Sequence, residues 1–184
     1  QNYLRGKYRE WIEDNDRVEV RSWYAETEVE LEHDWSFEFL GTVDAWSGAT
    51  PYGLPPASAI TANEWLRVVP EEIRKAGLFT LSKTIRNNDF SFEYGISEEP
   101  DYLSRSYAVQ YSCKMAADTL SFNTGLSLQD DSVKDSAGNF VNKKTPSFSA
   151  GITRILNKFT NISFNFTYSF PSGYLSDPYK VVPA

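Results

Sequence analysis

From Asn161 to Phe170 the chain reads Asn-Ile-Ser-Phe-Asn-Phe-Thr-Tyr-Ser-Phe, polar and apolar residues in strict alternation. Successive side chains of a strand point to opposite sides, so Ile162, Phe164, Phe166, Tyr168 and Phe170 share one face and Asn161, Ser163, Asn165, Thr167 and Ser169 the other. A helix has no use for this period. The same rhythm runs through Tyr102–Met115, where Leu103, Tyr107, Val109, Tyr111, Cys113 and Met115 oppose Ser104, Ser106, Ala108, Gln110, Ser112 and Lys114. Leu120, Phe122, Leu126 and Leu128 oppose Ser121, Asn123, Ser127 and Gln129; Trp35, Phe37, Phe39 and Val43 oppose Ser36, Glu38, Thr42 and Asp44.

About nine such segments are visible, over residues 3–12, 17–32, 35–46, 77–86, 90–97, 102–116, 119–129, 146–156 and 159–170. Many are near the 9–11 residues that a tilted strand needs to cross a bilayer. Aromatics reach 15% while charged residues reach 23%, and no apolar run approaches the roughly 18 residues of a spanning helix. The connections alternate in length. His33-Asp34, Asn87-Asn88-Asp89, Ala117-Asp118 and Asn157-Lys158 are short and rich in turn formers. The links at about 47–76, 98–101 and 130–145, and the tail at 171–184, are longer, with Glu13–Asp16 a short exception. Within the first long link, residues 62–76 carry a helical pattern that Pro70 interrupts. Tight turns at one end and long loops at the other are the asymmetry of an outer-membrane barrel. The expected fold is therefore all-β, an antiparallel up-and-down transmembrane β-barrel, with residues 1–184 one domain and the long loops outside. Nine strands leave two bare edges, which is costly in hydrocarbon, so the segment is expected to be the N-terminal part of a larger barrel. No cleavable leader opens the chain at Gln1, which is compatible with an export signal already removed.

A net charge of −7 and no basic stripe argue against nucleic acid as a partner. One cysteine, Cys113, permits no internal disulfide, and one histidine, His33, permits neither a His-based metal set nor a Ser-His-Asp triad. No metal, cofactor or catalytic role is expected. Glu26, Glu28, Glu38, Asp44, Glu93 and Lys114 fall on polar faces and are the lumen-facing candidates. They fit either an acidic, cation-preferring lumen or a plug of ion pairs, depending on barrel width. Asp130, Asp131, Asp135 and Asn139 cluster in one predicted loop, which reads as a solvated acidic loop ahead of a calcium site, since the spacing is not that of an EF-hand. Trp11, Trp23, Trp35, Trp46, Tyr102, Tyr168 and Phe170 lie towards strand ends, where amphipathic rings form a girdle at the headgroup layer.

Four motifs carry a family resemblance: Asp14-Asn15-Asp16-Arg17-Val18-Glu19-Val20, Asp44-Ala45-Trp46-Ser47-Gly48-Ala49-Thr50-Pro51, Asp101-Tyr102-Leu103-Ser104, and Gly173-Tyr174-Leu175-Ser176-Asp177-Pro178-Tyr179-Lys180. In this order they resemble domain-of-unknown-function 3570, a bacterial family. The resemblance implies an exported, outer-membrane-type β protein of roughly twice this length, with no established catalytic residues. It also implies a neighbourhood of small lipoproteins and flavin-transferring or thioredoxin-like proteins. Ser47, Gly48, Asp101, Tyr102, Tyr174, Asp177 and Tyr179 are the outer-rim candidates; Gly48, Gly173, Pro51 and Pro178 also have a plain turn-shaping role.

Three functions remain open on sequence. The first is a non-enzymatic pore or scaffold of an envelope complex in the bacterial outer membrane, contacting lipid and either an envelope lipoprotein or another barrel chain, in an unspecified oligomeric state. The second is an accessory to an envelope redox or flavin-transfer system. The third is a soluble, secreted β-sandwich for adhesion, in which Phe39, Phe122, Phe164 and Phe166 would be buried.

Overall fold

The computed structural model describes residues 2–12, 19–47, 72–135 and 138–175. They form one antiparallel sheet, of strands β1 (Tyr3–Ile12), β2 (Glu19–Leu31), β3 (Trp35–Ser47), β4 (Glu72–Ile85), β5 (Asn88–Glu98), β6 (Tyr102–Met115), β7 (Leu120–Lys134), β8 (Phe140–Asn157), β9 (Thr160–Ser169) and β10 (Ser172–Gly173). Each strand pairs with the next in sequence up to β8, which has β7 on one side and β9 and β10 on the other. β9 and β10 are one strand in two pieces. Ser169 opposes Ser147, Ser172 opposes Lys144, and the Phe170 N–H donates to the Pro146 carbonyl, all in a single register. Pro171, with no N–H to give, breaks the ladder between them. Among the described residues β1 pairs only with β2, and β9 only with β8, so the sheet is open.

The alternation read from sequence becomes two faces of this sheet, because residues directly opposite one another lie on the same side. Leu4, Thr27, Phe39, Phe79, Tyr94, Tyr107, Leu128 and Pro146 form one row across β1 to β8. Every second residue from this row belongs to an apolar face that no other described residue covers. Phe164 is 67% exposed, Leu126 65% and Phe166 47%, and among the described residues Val133 is the one buried hydrophobic side chain. A soluble sandwich would pack a second sheet on these rings; the single sheet overturns that reading.

The apolar face is a band of nearly constant width that runs obliquely across the strands. Counting from the row of Phe39 towards the end that carries the 48–71 connection, the first charged residue is the third on β1 and β2 (Glu10, Arg21). It is the second on β4 and β5 (Lys75, Glu98) and the first on β6, β7 and β8 (Arg105, Asp130, Lys144). At the opposite end the apolar run closes at the second position on β2 and β3 (Leu31, Trp35) but at the fourth on β6, β7 and β9 (Met115, Leu120, Ile162). Both edges slip the same way by two positions. That is what tilted strands need to present a level apolar belt, as they do in a barrel. Trp23–Leu31, Tyr107–Met115, Leu120–Leu128 and Ile162–Phe170 each span about nine residues, the length that crosses a bilayer.

Three expected loops are shorter than the sequence indicated. β4 begins at Glu72, so 72–76 of the expected loop and helical segment is strand, and 62–71 lies outside the described residues. The 98–101 loop is a two-residue turn over Pro100-Asp101, closed by Glu99 N–H to the Tyr102 carbonyl at 2.7 Å. The 130–145 loop contracts to Asp135–Asn139, because β7 continues to Lys134 and β8 starts at Phe140. Of the 171–184 tail, Ser172 and Gly173 are strand. Beyond the apolar band both faces of a strand meet water, so the alternation fades while the backbone pairing continues. At the other end the turns stay tight, with His33, Asp34, Arg86, Ala116, Ala117 and Asp118 in the left-handed region.

The girdle expectation divides by face. Trp23, Trp35, Tyr168 and Phe170 lie on the apolar face, where Trp23 packs with Tyr8 at 5.3 Å and Tyr168 with Phe170 at 4.3 Å between ring centroids. Trp11 and Tyr102 occupy polar-face positions by register and do not belong to it, and the Trp46 side chain lies outside the described residues.

Candidate functional site

On the polar face, the register brings four of the six lumen candidates together near the middle depth of the band. Glu28 lies directly opposite Glu38, and Thr80 stands between Glu38 and Glu93 in the same row. Glu26 is one position further along β2 and accepts a hydrogen bond from the Tyr3 hydroxyl at 2.6 Å. Glu93 accepts one from Gln110 Nε2 at 3.0 Å. Like charges directly across a strand pair repel, so the Glu28–Glu38 pair costs stability wherever water does not screen it. The other two candidates stand apart. Asp44 is near the outer end, with Arg74 Nε 3.8 Å away, and Lys114 is at the opposite end against Ser121.

Sequence reading passed over the polar face of β1. Arg5, Lys7 and Arg9 recur at every second residue there, opposite Glu26, Tyr24 and Ser22. The alternation that identified the carboxylates would have identified them too. By contrast, β6 to β9 line the same face with Ser106, Gln110, Ser127, Ser147, Ser149, Thr167 and Ser169. One part of the wall is therefore charged, and the other is hydroxyl-rich between Lys114 at one end and the Asp131–Lys143 pair at the other.

Of the outer-rim candidates, Tyr102 lies against a residue that sequence assigned to a loop. Asp131 is a strand residue, 1% exposed, directly opposite Ser104 on β6 and Lys143 on β8, with Gly173 next in the row. Its carboxylate accepts from Gln129 Nε2 at 3.0 and 3.1 Å and lies 3.4 Å from Lys143 Nζ. Burial alone would raise the Asp131 carboxyl, but hydrogen bonds from Ser104, Gln129 and Tyr102, together with Lys143, hold it below its ordinary range. Burial and the bond to Asp131 push the Tyr102 hydroxyl upward. Asp130 points to the other face, where Lys144 Nζ is 3.5 Å away. The acidic-loop reading is thus corrected: Asp130 and Asp131 are cross-strand partners of two lysines on opposite faces. Among the described residues no three acidic, histidine or cysteine side chains are placed to hold a metal ion.

Motif residues that sequence could only associate by order are thereby joined in space. Tyr102 and Ser104 bond Asp131, and Gly173 and Tyr174 continue the same sheet, with Tyr174 N–H donating to the Asn142 carbonyl at 3.0 Å. Asp101 sits in the tight turn, where its carbonyl accepts from Lys134 N–H at 2.9 Å. Ser47 ends β3, and Gly48, Asp177 and Tyr179 lie outside the described residues.

No curated protein matches the chain. Its fold is similar to that of OmpT, an outer membrane protein of Vibrio cholerae solved in its in-vitro folded, trimer form. The TM-score is 0.60 at 12% identity, over 96% of this chain and 57% of that one. The chain thus spans little more than half the length of the protein it resembles, and the likeness establishes the outer-membrane barrel fold. The family model described as a protein of unknown function, DUF3570, matches residues 4–148 and 134–184, and the chain belongs to that family.

Proposed function

We propose that this chain forms part of the wall of a non-enzymatic pore in the bacterial outer membrane, its apolar face against lipid and its polar face lining a water-filled, cation-preferring lumen. The observation that carries this reading is the pairing of an oblique apolar belt on one face with Glu26, Glu28, Glu38 and Glu93 at the middle depth of the other. Rings of carboxylates at such a depth attract cations and repel anions. Width favours a pore over a plug. Nine strands in a chain that the family resemblance makes about half of a protein give roughly eighteen in the whole, and barrels of 16–18 strands keep an aqueous channel.

The test is planar-bilayer conductance of the full-length protein at two salt compositions that separate cation from anion preference. Cation-selective steps, with selectivity weakened by Glu26→Gln plus Glu38→Gln, are expected. A folded, heat-resistant barrel that conducts nothing would turn the reading towards a scaffold holding an envelope lipoprotein or a second barrel chain.

A further inference from the structure

Arg5 on β1 and Glu26 on β2 face each other directly, yet they form no ion pair; both engage Tyr3 instead. The Tyr3 hydroxyl donates to Glu26, and the Arg5 guanidinium lies over the Tyr3 ring, 4.3 Å from its centroid. Lys7 stands one position further along, opposite Tyr24, and Leu40 lies across from Glu26 on β3. Arg5, Lys7, Tyr24, Glu26 and Leu40 line a depression of about 480 Å³ on the polar face, within the size range of small-molecule sites.

We propose that this depression is a binding site for zwitterionic solutes of amino-acid or short-peptide size, a reading that rests on the lumen assigned above. Arg5 and Lys7 receive the carboxylate, the guanidinium as a planar fork and the ammonium as a point charge. Glu26 receives the ammonium, with Glu28 and Glu38 one position deeper adding to the negative field. Leu40 and the Tyr24 ring offer an apolar surface to a side chain. The two charge columns stand on neighbouring strands, about 4.8 Å apart at the backbone, and their long side chains let opposite charges reach the two ends of one small zwitterion. A purely anionic solute meets the carboxylates and a purely cationic one meets Arg5 and Lys7; only a solute with both charges is matched at both ends. An exposed Arg–Glu pair is weak, so even where thermal motion closes it, a solute that satisfies both partners opens it readily.

The test uses the full-length protein, with glycyl-leucine as the zwitterion and its N-acetyl and amide derivatives as single-charge controls. Calorimetric binding in detergent is compared with entry into proteoliposomes, expressed as a ratio to xylitol. Glycyl-leucine is expected to bind and to enter faster than either derivative. Arg5→Gln plus Lys7→Gln is expected to lower its affinity about tenfold, the size of a lost charge-assisted contact. Glu26→Gln is expected to weaken the amide derivative and glycyl-leucine while leaving the N-acetyl derivative no weaker, a pattern that general misfolding does not produce. Equal binding of all three solutes, or no binding, overturns the site. Binding without conductance or entry retains the site and sinks the pore.

Discussion

Three consecutive residues of β7 separate the two faces and the depth of the band in one experiment. Leu126 and Leu128 lie on the apolar face, 65% and 37% exposed, and Ser127 lies between them on the polar face, opposite Ala108 and Ser147. The apolar run on β7 is Leu120–Leu128, centred near Thr124, and Asp130 marks its edge. At about 3.3 Å per residue and a tilt of about 40°, Leu126 stands about 5 Å from the midplane and Leu128 about 10 Å. Arginine on the lipid face of a barrel costs about 2–4 kcal/mol at the midplane and about 0–1 near the interface. Leu126→Arg is therefore expected to destabilise by about 2–3 kcal/mol and Leu128→Arg by about 1. Ser127→Arg, projecting into water, is expected within about 0.5 kcal/mol of the parent. The measurement is reversible urea unfolding of the full-length protein in lipid vesicles, followed by tryptophan fluorescence. If Ser127→Arg is the costliest of the three, the faces are reversed. Equal costs at Leu126 and Leu128 would mean that the band does not end where Asp130 places it.

Asp131→Ala should destabilise by about 2–3 kcal/mol, at the lower end for breaking a buried pair because Lys143 regains some water. The stabilisation that Asp131 supplies is present above the ordinary carboxylate range and is lost as pH falls through its lowered native value, so parent and variant unfolding curves should converge in acid and separate at neutral pH. Gly173→Ala should cost about 1–2 kcal/mol in the same assay, because Gly173 has φ +93° and an added Cβ would strike the Asn142 carbonyl; a neutral effect would remove the close approach of β10 to β8.

Alternation made the strands of the membrane-crossing region legible. β1, β6 and β9 fall where the pattern put them, and Cys113 sits on the apolar face across from Phe122. What failed was the pattern's silence outside the bilayer. Asp130-Asp131-Ser132 and Asn142-Lys143-Lys144-Thr145 have no apolar side, so they read as loop. Their strand character lies in a relation between two segments, acids against lysines across a register that no single segment contains. Glu72-Ile73-Arg74-Lys75 was masked in the same way and read as helical. The burial of Asp131 has a further cause that no single segment carries: it depends on Tyr102 and Ser104 of β6 and Lys143 of β8 meeting it from the two neighbouring strands. Arg5, Lys7 and Arg9 are legible on the polar face of β1 taken by itself, and the excess of acid over the whole chain hides them.

Within the bilayer this sheet needs no core. Lipid covers the apolar face, and the cost of an unpaired backbone group in hydrocarbon enforces the ladder whatever the side chains are. Beyond the belt neither condition holds: water competes for each backbone hydrogen bond and no lipid rewards an apolar face. The extension of β6, β7, β8 and β10 must then be held by its own side chains, and this is where the buried polar cluster stands. The exposed Asp130–Lys144 pair adds little, since solvent screens it. Asp131 carries the burden, enclosed and bonded from both neighbouring strands, with Val133 buried beside it. Asp101-Tyr102-Leu103-Ser104 and Gly173-Tyr174-Leu175 therefore have a structural reason for their particular side chains. They lie on the stretch of wall whose pairing must be specified residue by residue, while the strands below it require only that every second residue be apolar.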